Sequence, residues 1–385
     1  MKIGIDIRTL MEAQYSGVSE YAYNLITNLL EQDSDNEYVL FYNSFKDVSD
    51  IIPKFRGNYK IIKTRYPNKI FNFLLQKIFK YPKLDKLLGV NVFIAPNIGF
   101  YALSKSCLKI LTVHDLSFLR YPEFFSAKRI LWHKIINVKK QIKKFDKIVA
   151  VSDNTKNDLV ELCEVDERKI KVIYPGVETQ NLAFLQNNGV HQTQNHLYLK
   201  SVQIKYNLPD KFILYLGTIE PRKNIISLIK AYNELRFENN DFQHKLVLAG
   251  GNGWKTKKIY QEWQKSKYQK DIIFTGYVNN EDKVGLYKLA DVFVYPSFYE
   301  GFGFPPLEAM AYETPVITSF SSSLPEILGS SAIMVDPYNI EDLRQAISEL
   351  LLNKNLQDNF KNKGLEKVKE FSWEKVAKDY IALFV

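Results

Sequence analysis

Short apolar segments alternate with amphipathic segments along almost the whole chain, and this alternation constrains the fold more than any other feature. The strand candidates are residues 2–7, 38–42, 92–95, 109–113, 147–151 and 171–174, followed by 212–216, 245–249, 272–274, 292–295, 316–318 and 332–335. Segments with helical spacing lie between them, for example residues 18–30, 126–143 and 225–235. Strands separated by helices predict parallel sheets covered by helices on both faces.

The alternation is interrupted once, near the middle of the chain. Residues 179–200 are rich in Asn and Gln and lack strong periodicity, which is typical of a linker or a surface excursion. A length of 385 residues favours two or three domains. We therefore predict an α/β protein with one doubly wound domain over residues 1–178, a linker over 179–204 and a second doubly wound domain over 205–372.

Two glutamates that lie eight positions apart mark the strongest candidate site. Glu300 and Glu308 flank a Gly-Phe-Gly-Phe-Pro-Pro turn, which follows the strand candidate at 292–295. Gly301 and Gly303 let bare backbone approach a ligand, and the prolines suit a first helical turn. Open α/β sheets bind ligands at this strand edge, where helix N–H groups attract anions. Although an isolated Glu pair is more often a solvated turn, this arrangement suits a molecule with hydroxyls and phosphates, such as a nucleotide sugar.

Two adjacent cations follow the first strand of the second half. Arg222 and Lys223 come after the strand at 212–216 and the turn that begins at Gly217, and a helix is predicted from residue 225. Cations beside a helix N-terminus form an anion site in which side chains and the helix dipole act together. Without other evidence the pair could equally be a solvated surface feature.

The glutamate segment resembles the Glu-x₇-Glu signature of retaining glycosyltransferases of family four. These enzymes have the GT-B fold, in which two Rossmann-like domains face each other across a cleft. Further segments match the same family in order: Gly4-Ile-Asp-Ile-Arg8, Ser16-Gly-Val18, Val113-His-Asp-Leu116, Val151-Ser-Asp153, Val172-Ile-Tyr-Pro-Gly-Val177, Leu216-Gly-Thr-Ile-Glu-Pro-Arg-Lys-Asn224, Leu246-Val-Leu-Ala-Gly-Gly251, Phe274-Thr-Gly-Tyr-Val278 and Phe371-Ser-Trp373. The resemblance implies an acceptor-binding first domain, a nucleotide-sugar-binding second domain and a final helix, 373–385, that packs back on the first domain.

The resemblance also assigns roles to the cations. Lys223 falls on the family's diphosphate lysine. Many relatives have Arg directly after the glycine where this chain has Thr218, and Arg222 is expected to supply the missing charge. The Glu-Pro-Arg-Lys-Asn form matches a subgroup that includes many bacterial mannosyltransferases.

The remaining site residues are assigned in the same way. Glu308 is expected to bind the ribose hydroxyls and Glu300 the hydroxyls of the transferred sugar. His114 matches a family position that contacts the donor sugar near the reaction centre, although a lone His at a strand end is more often structural. The expected donor-binding set is completed by Gly17, Gly217, Gly276, Tyr277, Val278, Gly301, Phe302 and Gly303.

Positive charge is concentrated in one part of the first half. Residues 51–150 carry 21 Lys and Arg against 4 Asp and Glu. Residues 68–83 combine lysines with Ile70, Phe71, Leu74 and Ile78 at helical spacing, which is typical both of a helix on an anionic bilayer and of an ordinary helix packed on its domain. The basic region therefore predicts contact with either an anionic membrane or a phosphorylated acceptor, and no nucleic-acid motif accompanies it.

The sequence gives no reason to expect a cofactor or a metal. It contains no phosphate-binding loop of the Gly-x₄-Gly-Lys-Ser/Thr type and lacks the third spaced glycine of a dinucleotide fingerprint. Asp33-Ser-Asp35 imitates a metal-binding Asp-x-Asp motif, but we interpret it as a solvated turn. Two cysteines, an N-terminal segment that is already a strand and no long apolar run favour a cytoplasmic protein.

We therefore expect a retaining glycosyltransferase, with GDP-mannose as favoured donor and a lipid-linked glycan of a bacterial surface polysaccharide as acceptor. It would be cytoplasmic, with peripheral contact to the inner face of the membrane as one alternative. A nucleotide-sugar epimerase or a phosphorylase of the same fold is a rival, as is a sugar-binding protein without activity. Calorimetry with GDP, UDP and dTDP separates these alternatives.

Overall fold

A computed structural model describes residues 1–11, 17–177, 190–239 and 241–384, with the side chains of 190–194 excluded. The chain divides into two compact units. The first comprises Met1–Arg120, Ala127–Gly176 and Ser372–Val385, and the second comprises Tyr121–Ser126 and Val177–Phe371. Ser16 and residues 178–189, which belong to the predicted motifs and linker, lie outside the described residues.

The first unit is built on a parallel seven-stranded sheet with the order β3-β2-β1-β4-β5-β6-β7. The strands are β1 (Lys2–Asp6), β2 (Glu37–Asn43), β3 (Tyr59–Thr64), β4 (Val92–Ala95), β5 (Leu108–Val113), β6 (Lys147–Ala150) and β7 (Ile170–Val172). Strand β1 lies where the strand order reverses, which is the position where open α/β sheets bind ligands.

Helices cover both faces of this sheet. They are α1 (Gly17–Gln32), the π-helical α2 (Ile70–Phe79), α3 (Leu84–Leu88), α4 (Ser117–Arg120), α5 (Ala127–Ile136), α6 (Val138–Ile142), α7 (Asp153–Cys163) and α16 (Trp373–Ile381). Short 3₁₀ turns lie at Arg8–Met11 and Glu167–Lys169. Helix α16 packs on α1, where the hydroxyl of Tyr380 lies 2.9 Å from that of Tyr21 and 2.6 Å from Oγ1 of Thr112.

The second unit contains a parallel six-stranded sheet with the order β10-β9-β8-β11-β12-β13. Its strands are β8 (Phe212–Leu216), β9 (Lys245–Ala249), β10 (Ile272–Gly276), β11 (Val292–Tyr295), β12 (Val316–Ser319) and β13 (Ile333–Val335). The order reverses at β8, between β9 and β11. The six-stranded order is that of the dinucleotide-binding folds.

The helices of the second unit are α8 (Val190–Lys205), α9 (Ile225–Glu238), α10 (Lys257–Lys265), α11 (Asn280–Leu289), α12 (Phe304–Ala311), α13 (Leu324–Leu328), α14 (Ile340–Leu352) and α15 (Lys354–Val368). Short 3₁₀ turns lie at Pro122–Phe124, Pro221–Lys223, Gln269–Asp271 and Gly329–Ser331. No helix in the described part of the chain is long and apolar enough to cross a bilayer.

Two boundaries differ from those expected from the sequence. Residues 190–205, which fall largely in the predicted linker, form helix α8, because Val202 is buried against α11 and Tyr198 donates a 2.6 Å hydrogen bond to the carbonyl of Glu281. Residues 121–126 belong to the second unit, where the carbonyl of Phe124 accepts a 2.7 Å hydrogen bond from the indole of Trp254.

Two local predictions are also corrected. The helix expected over 126–143 is divided at Asn137, which adopts a left-handed conformation with φ of 54°. Asp33 is buried rather than solvated, because its carboxylate accepts hydrogen bonds from the hydroxyl of Tyr38 at 2.6 Å and from Nδ2 of Asn36 at 2.7 Å.

Candidate active site

The Gly-rich turn after β11 ends at a helix N-terminus, as the sequence predicts. Gly303 caps α12 with φ of 103°, a conformation that favours glycine, and a Cβ there would lie 2.7 Å from Cδ2 of the buried Leu324. Two prolines follow in the first turn of α12, where a missing N–H costs no helical hydrogen bond. Gly301, Phe302 and Gly303 are all buried. The sequence therefore places a glycine where the backbone packs tightly against Leu324 at the start of α12.

The two predicted cations lie beside Glu300. Nζ of Lys223 is 2.6 Å from Oε1 of Glu300, and Nη1 of Arg222 is 3.0 Å from Oε2. The backbone N–H of Phe298 donates a 2.9 Å hydrogen bond to the carbonyl of Arg222, which joins the loops after β8 and β11. Both loops leave the carboxyl ends of neighbouring strands, so residues distant in sequence form one cluster.

Burial and the cations control the ionisation of this cluster. Burial opposes the charge on Glu300, but the positive charges of Arg222 and Lys223 lower the pKa of Glu300 to about 2. Burial lowers the pKa of Lys223 from its ordinary value, against the attraction of Glu300. Glu300 is therefore a carboxylate at neutral pH.

A second buried glutamate belongs to the cluster, and the sequence analysis did not identify it. Oε1 of Glu220 accepts a 2.9 Å hydrogen bond from Nη2 of Arg222, whereas Oε2 is buried without a hydrogen-bond partner among the described residues. Burial raises the pKa of Glu220, and Arg222 only partly offsets this effect. The sequence feature that could have identified Glu220 is its position two residues before Arg222, at the end of a turn that follows a strand.

Tyr295 is another member that sequence reasoning missed. Its hydroxyl lies 2.5 Å from Nζ of Lys223, and its ring is fully buried against that of Tyr215. Tyr295 is the last residue of β11, and the sequence of this strand is apolar. The sequence pattern therefore indicated only core packing for Tyr295.

Glu308 lies in α12, outside the ion cluster. Its Oε2 accepts a 2.7 Å hydrogen bond from the hydroxyl of Tyr287, a fully buried residue of α11. The side chain of Glu308 remains partly exposed. This bond fixes one carboxylate oxygen and leaves the other to accept hydrogen bonds from a ligand diol.

Three loops at the carboxyl ends of β8, β9 and β10 lie close together. The N–H of Gly250 donates to the carbonyl of Gly276 at 2.9 Å, and a Cβ on Gly250 would lie only 2.0 Å from the carbonyl oxygen of Gly217. Tyr277 is 37% exposed, so its ring is available for stacking, whereas Val278 is buried and can offer only its backbone. The structure thus brings Gly217 and Gly276 together through Gly250, a motif glycine that was not among the expected donor-binding residues.

The remaining predicted residues belong to the first unit. His114 follows β5, and its Nε2 donates a 2.8 Å hydrogen bond to the carbonyl of Pro96, which leaves Nδ1 as the acceptor nitrogen of the neutral ring. Burial lowers the pKa of His114. Gly17 is the first residue of α1, and apart from its own helix and chain neighbours no atom of the described residues lies within 4 Å of the position that a Cβ would occupy.

Arg8 is a further, partly buried charge, two residues after the end of β1. Its guanidinium is 2.8 Å from Asp6, and its Nη1 donates a 2.6 Å hydrogen bond to Oδ1 of Asn72 in α2. Tyr101 also donates to Asp6 at 3.0 Å. The sequence feature that could have identified Arg8 is the Gly-Ile-Asp-Ile-Arg motif, in which two charged residues come at the end of an apolar strand.

Comparisons with known proteins identify the family of the chain. Residues 15–181 match the model of the glycosyltransferase family 4, and residues 200–367 match that of the glycosyl transferases group 1. O-antigen chain mannosyltransferase B of Escherichia coli is 32% identical over 286 residues, which are 74% of this chain and 71% of that protein. Serotype-specific mannosyltransferase WbdA of E. coli is 30% identical over 70% of this chain, but the chain spans only 32% of WbdA.

Among solved structures, that of Anabaena Alr3699/HepE in complex with UDP-glucose superposes with a TM-score of 0.74 at 14% identity, covering 100% of this chain and 99% of that one. The protein is therefore a glycosyltransferase with the GT-B fold. The chain belongs to glycosyltransferase family 4 and acts as a hexosyltransferase.

Proposed function

We propose that the protein transfers mannose from GDP-mannose to a lipid-linked glycan of a bacterial surface polysaccharide, with retention of anomeric configuration. The E. coli relatives named above are mannosyltransferases, one of the O-antigen chain, and this supports the sugar and the acceptor class. The subgroup motif at Glu220–Asn224 supports the same donor. The UDP-glucose bound to HepE supports a nucleotide sugar as the donor class.

The observation that carries the proposal is the buried cluster of Arg222, Lys223 and Glu300. During transfer, the bond between the sugar C1 and the diphosphate oxygen breaks, and its electron pair stays on the diphosphate. The acceptor hydroxyl forms the new bond to C1, and its proton passes to a phosphate oxygen. Arg222 and Lys223 would stabilise the charge that develops on the diphosphate. Because side-chain cations supply this charge, we propose that no metal or other cofactor is required.

Donor binding would then exchange the partners of these cations. The diphosphate would replace Glu300 as the hydrogen-bond acceptor for Lys223. Glu300 would then accept hydrogen bonds from the sugar hydroxyls. Glu308 would hold the ribose diol, and the N–H groups of Gly301, Phe302 and Gly303 would bind diphosphate or sugar oxygens.

The other predicted residues would also contact the substrates, each from its own unit. His114 would accept a hydrogen bond from a substrate hydroxyl through Nδ1, since its Nε2 is already bonded to Pro96. Tyr277 would stack on the nucleobase, with Gly217, Gly276 and the backbone of Val278 around it. Gly17 would expose N–H groups at the start of α1 to a substrate oxygen. The basic region over 51–150 would hold the protein at the inner face of an anionic membrane.

A screen of radiolabelled nucleotide sugars tests the proposal directly. We expect transfer from GDP-mannose in the presence of chelator, an α-linked product by NMR, and binding of GDP in preference to UDP and dTDP by calorimetry. Turnover of the donor without acceptor would instead support an epimerase, and a requirement for inorganic phosphate would support a phosphorylase. Binding of free sugar without binding of any nucleotide would support a non-enzymatic binding protein.

A further inference from the structure

Glu220 is a buried glutamate that uses only one of its two carboxylate oxygens. The residue is 1% exposed, and Oε1 accepts a 2.9 Å hydrogen bond from Nη2 of Arg222. Oε2 is buried and has no hydrogen-bond partner among the described residues. A buried charged oxygen without a partner is costly, so such an atom in a folded protein needs an explanation. The proposed reaction gives roles to Arg222, Lys223 and Glu300 but none to Glu220.

The charges of the cluster around Glu220 are balanced before any ligand binds. Arg222 and Lys223 carry two positive charges, and Glu220 and Glu300 carry two negative charges. Each of these side chains is at most 12% exposed. The diphosphate of a nucleotide sugar would add two further negative charges to this buried site. Because unbalanced charge is costly where water has little access, binding favours the uptake of a proton by one of the groups nearby.

The cations and phenols that face Glu220 already hold their protons. The guanidinium of Arg222 is protonated at any ordinary pH. Burial lowers the pKa of Lys223, but the attraction of the carboxylate 2.6 Å away favours the ammonium form. Burial raises the pKa of Tyr215 in β8 and of Tyr295 in β11 well above the ordinary value, so both phenols are neutral. Only a carboxylate can therefore accept the additional proton.

The two carboxylates of the cluster differ in how well their charge is compensated. Both oxygens of Glu300 are bonded, to Lys223 at 2.6 Å and to Arg222 at 3.0 Å, and despite burial these cations lower its pKa to about 2. For Glu220, burial raises the pKa, and Arg222 and Lys223 only partly offset this effect. The loop after β9 also packs on Glu220, through Gly253, which carries no ionisable group. The unbonded Oε2 of Glu220 is therefore the most favourable position for a proton.

We propose that Glu220 takes up a proton on Oε2 when the diphosphate of a nucleotide sugar binds Arg222 and Lys223, and that Glu220 is thereby a positioning residue for Arg222. This inference rests on the proposed function, in which the two cations hold the diphosphate. The proton comes from the solvent and forms an O–H bond at Oε2, without transfer of electrons. The carboxyl group is then neutral, so Glu220 no longer competes with the diphosphate for the charge of Arg222.

Calorimetry with GDP-mannose in the absence of acceptor measures this proton directly. Both phosphates of GDP-mannose are esterified, so the ligand itself neither gains nor loses a proton near neutral pH. Binding heats in two buffers of different ionisation enthalpy give the number of protons taken up at each pH. Between about pH 5.5 and 8.5 we expect a maximum of about one proton, and an affinity that falls by up to roughly tenfold per pH unit as the pH rises.

Glu220→Gln imitates the protonated state, since the amide oxygen can still accept from Arg222 but the side chain cannot ionise. This variant should take up no proton, and its affinity for GDP-mannose should exceed that of wild type at the upper end of the pH range. The matched control is Glu234→Gln, an exposed glutamate of α9, which should keep the proton number and pH dependence of wild type. If Glu220 only supports the fold, Glu220→Gln would instead change affinity equally at every pH.

The results separate this inference from the proposed function. Binding of GDP-mannose by wild type with no proton taken up at any pH would overturn the inference alone, whether or not a variant folds. Uptake that persists in Glu220→Gln would assign the proton to Lys223 or Glu300 and would also overturn it. If UDP-glucose binds in place of GDP-mannose, the proposed donor is wrong, and the same proton count with UDP-glucose tests Glu220. Binding of free mannose without any nucleotide sugar would remove both proposals.

Discussion

Glu300 accepts a hydrogen bond of 2.6 Å from Nζ of Lys223, and both residues are buried. The sequence assigns these residues to different parts of a donor, the sugar and the diphosphate, yet without a ligand they are partners of each other. A buried ion pair contributes little net stability, but removing one partner leaves an uncompensated charge. If the donor binds these residues as proposed, this relationship couples donor binding to the stability of the second unit.

Lys223→Met should abolish turnover and weaken GDP binding roughly thirtyfold or more, which corresponds to about 2 kcal/mol for a lost charged partner. It should also lower the free energy of unfolding by about 1–3 kcal/mol, because Glu300 loses one of its two cations. Calorimetry and urea unfolding measure the two effects.

Lys230→Ala is the matched control for this variant, since Lys230 is an exposed lysine of α9, a few residues further along the chain. Lys230→Ala should change neither the affinity for GDP nor the free energy of unfolding. Wild-type activity in Lys223→Met would remove the diphosphate assignment. Lost activity with unchanged stability would show that the Lys223–Glu300 pair does not stabilise the fold.

The two buried glutamates of the cluster should affect stability in opposite directions as pH changes. The pKa of Glu300 is lowered to about 2 from an ordinary value of 4.5, so its contribution is complete above pH 4.5 and is lost as the pH falls toward 2. The full contribution is on the order of 3 kcal/mol. We expect Glu300→Gln to have a shallower loss of stability than wild type between pH 4.5 and 2.

Glu220 supplies the contrasting variant. Its pKa is raised, so the folded protein holds the proton more tightly and stability falls as the pH rises from 4.5 through the folded pKa. Glu220→Gln should therefore remove a slope of opposite sign above pH 4.5. Identical pH profiles of unfolding for wild type and both variants would contradict the assigned ionisation states.

Tyr287→Phe tests the orientation of Glu308 without removing the carboxylate. Loss of the 2.7 Å hydrogen bond should weaken GDP binding about fivefold, equivalent to about 1 kcal/mol, because Glu308 is no longer fixed toward the ribose. Glu308→Ala should reduce binding further, and in its background Tyr287→Phe should have no additional effect. An equal effect of Tyr287→Phe in both backgrounds would show that Tyr287 acts through packing alone.

The sequence predicts the elements of the fold better than the contacts between residues of the candidate site. Gly303 and the strand before Glu300 follow from local backbone chemistry, so they could be predicted. Glu220 lies two residues before its partner Arg222, so a local pattern could have identified it as well. Tyr295 could not be predicted, because its contact with Lys223 depends on the way in which β8 and β11 become neighbours in the sheet. Local patterns contain no information on that pairing.

The missed elements have similar causes. Strand β3 is an edge strand in which no residue is fully buried, so it lacks an apolar pattern. Helix α8 has a polar sequence, and of its described side chains only that of Val202, which meets α11, is fully buried. In both cases tertiary contacts outweigh local composition.

Gly303→Ala and Gly17→Ala distinguish a structural glycine from one that only permits the approach of a ligand. At Gly303 the φ of 103° and the 2.7 Å approach to Leu324 are incompatible with a side chain, so Gly303→Ala should destabilise the protein by about 1–3 kcal/mol and weaken GDP binding. At Gly17 the described part of the chain leaves space for a Cβ at a helix start, so alanine should leave thermal stability within about 0.5 kcal/mol of wild type. If substrate oxygens approach this backbone, Gly17→Ala should still raise KM several-fold. An unchanged KM in Gly17→Ala would remove Gly17 from the site, and a stable, active Gly303→Ala would contradict the backbone constraint at the start of α12.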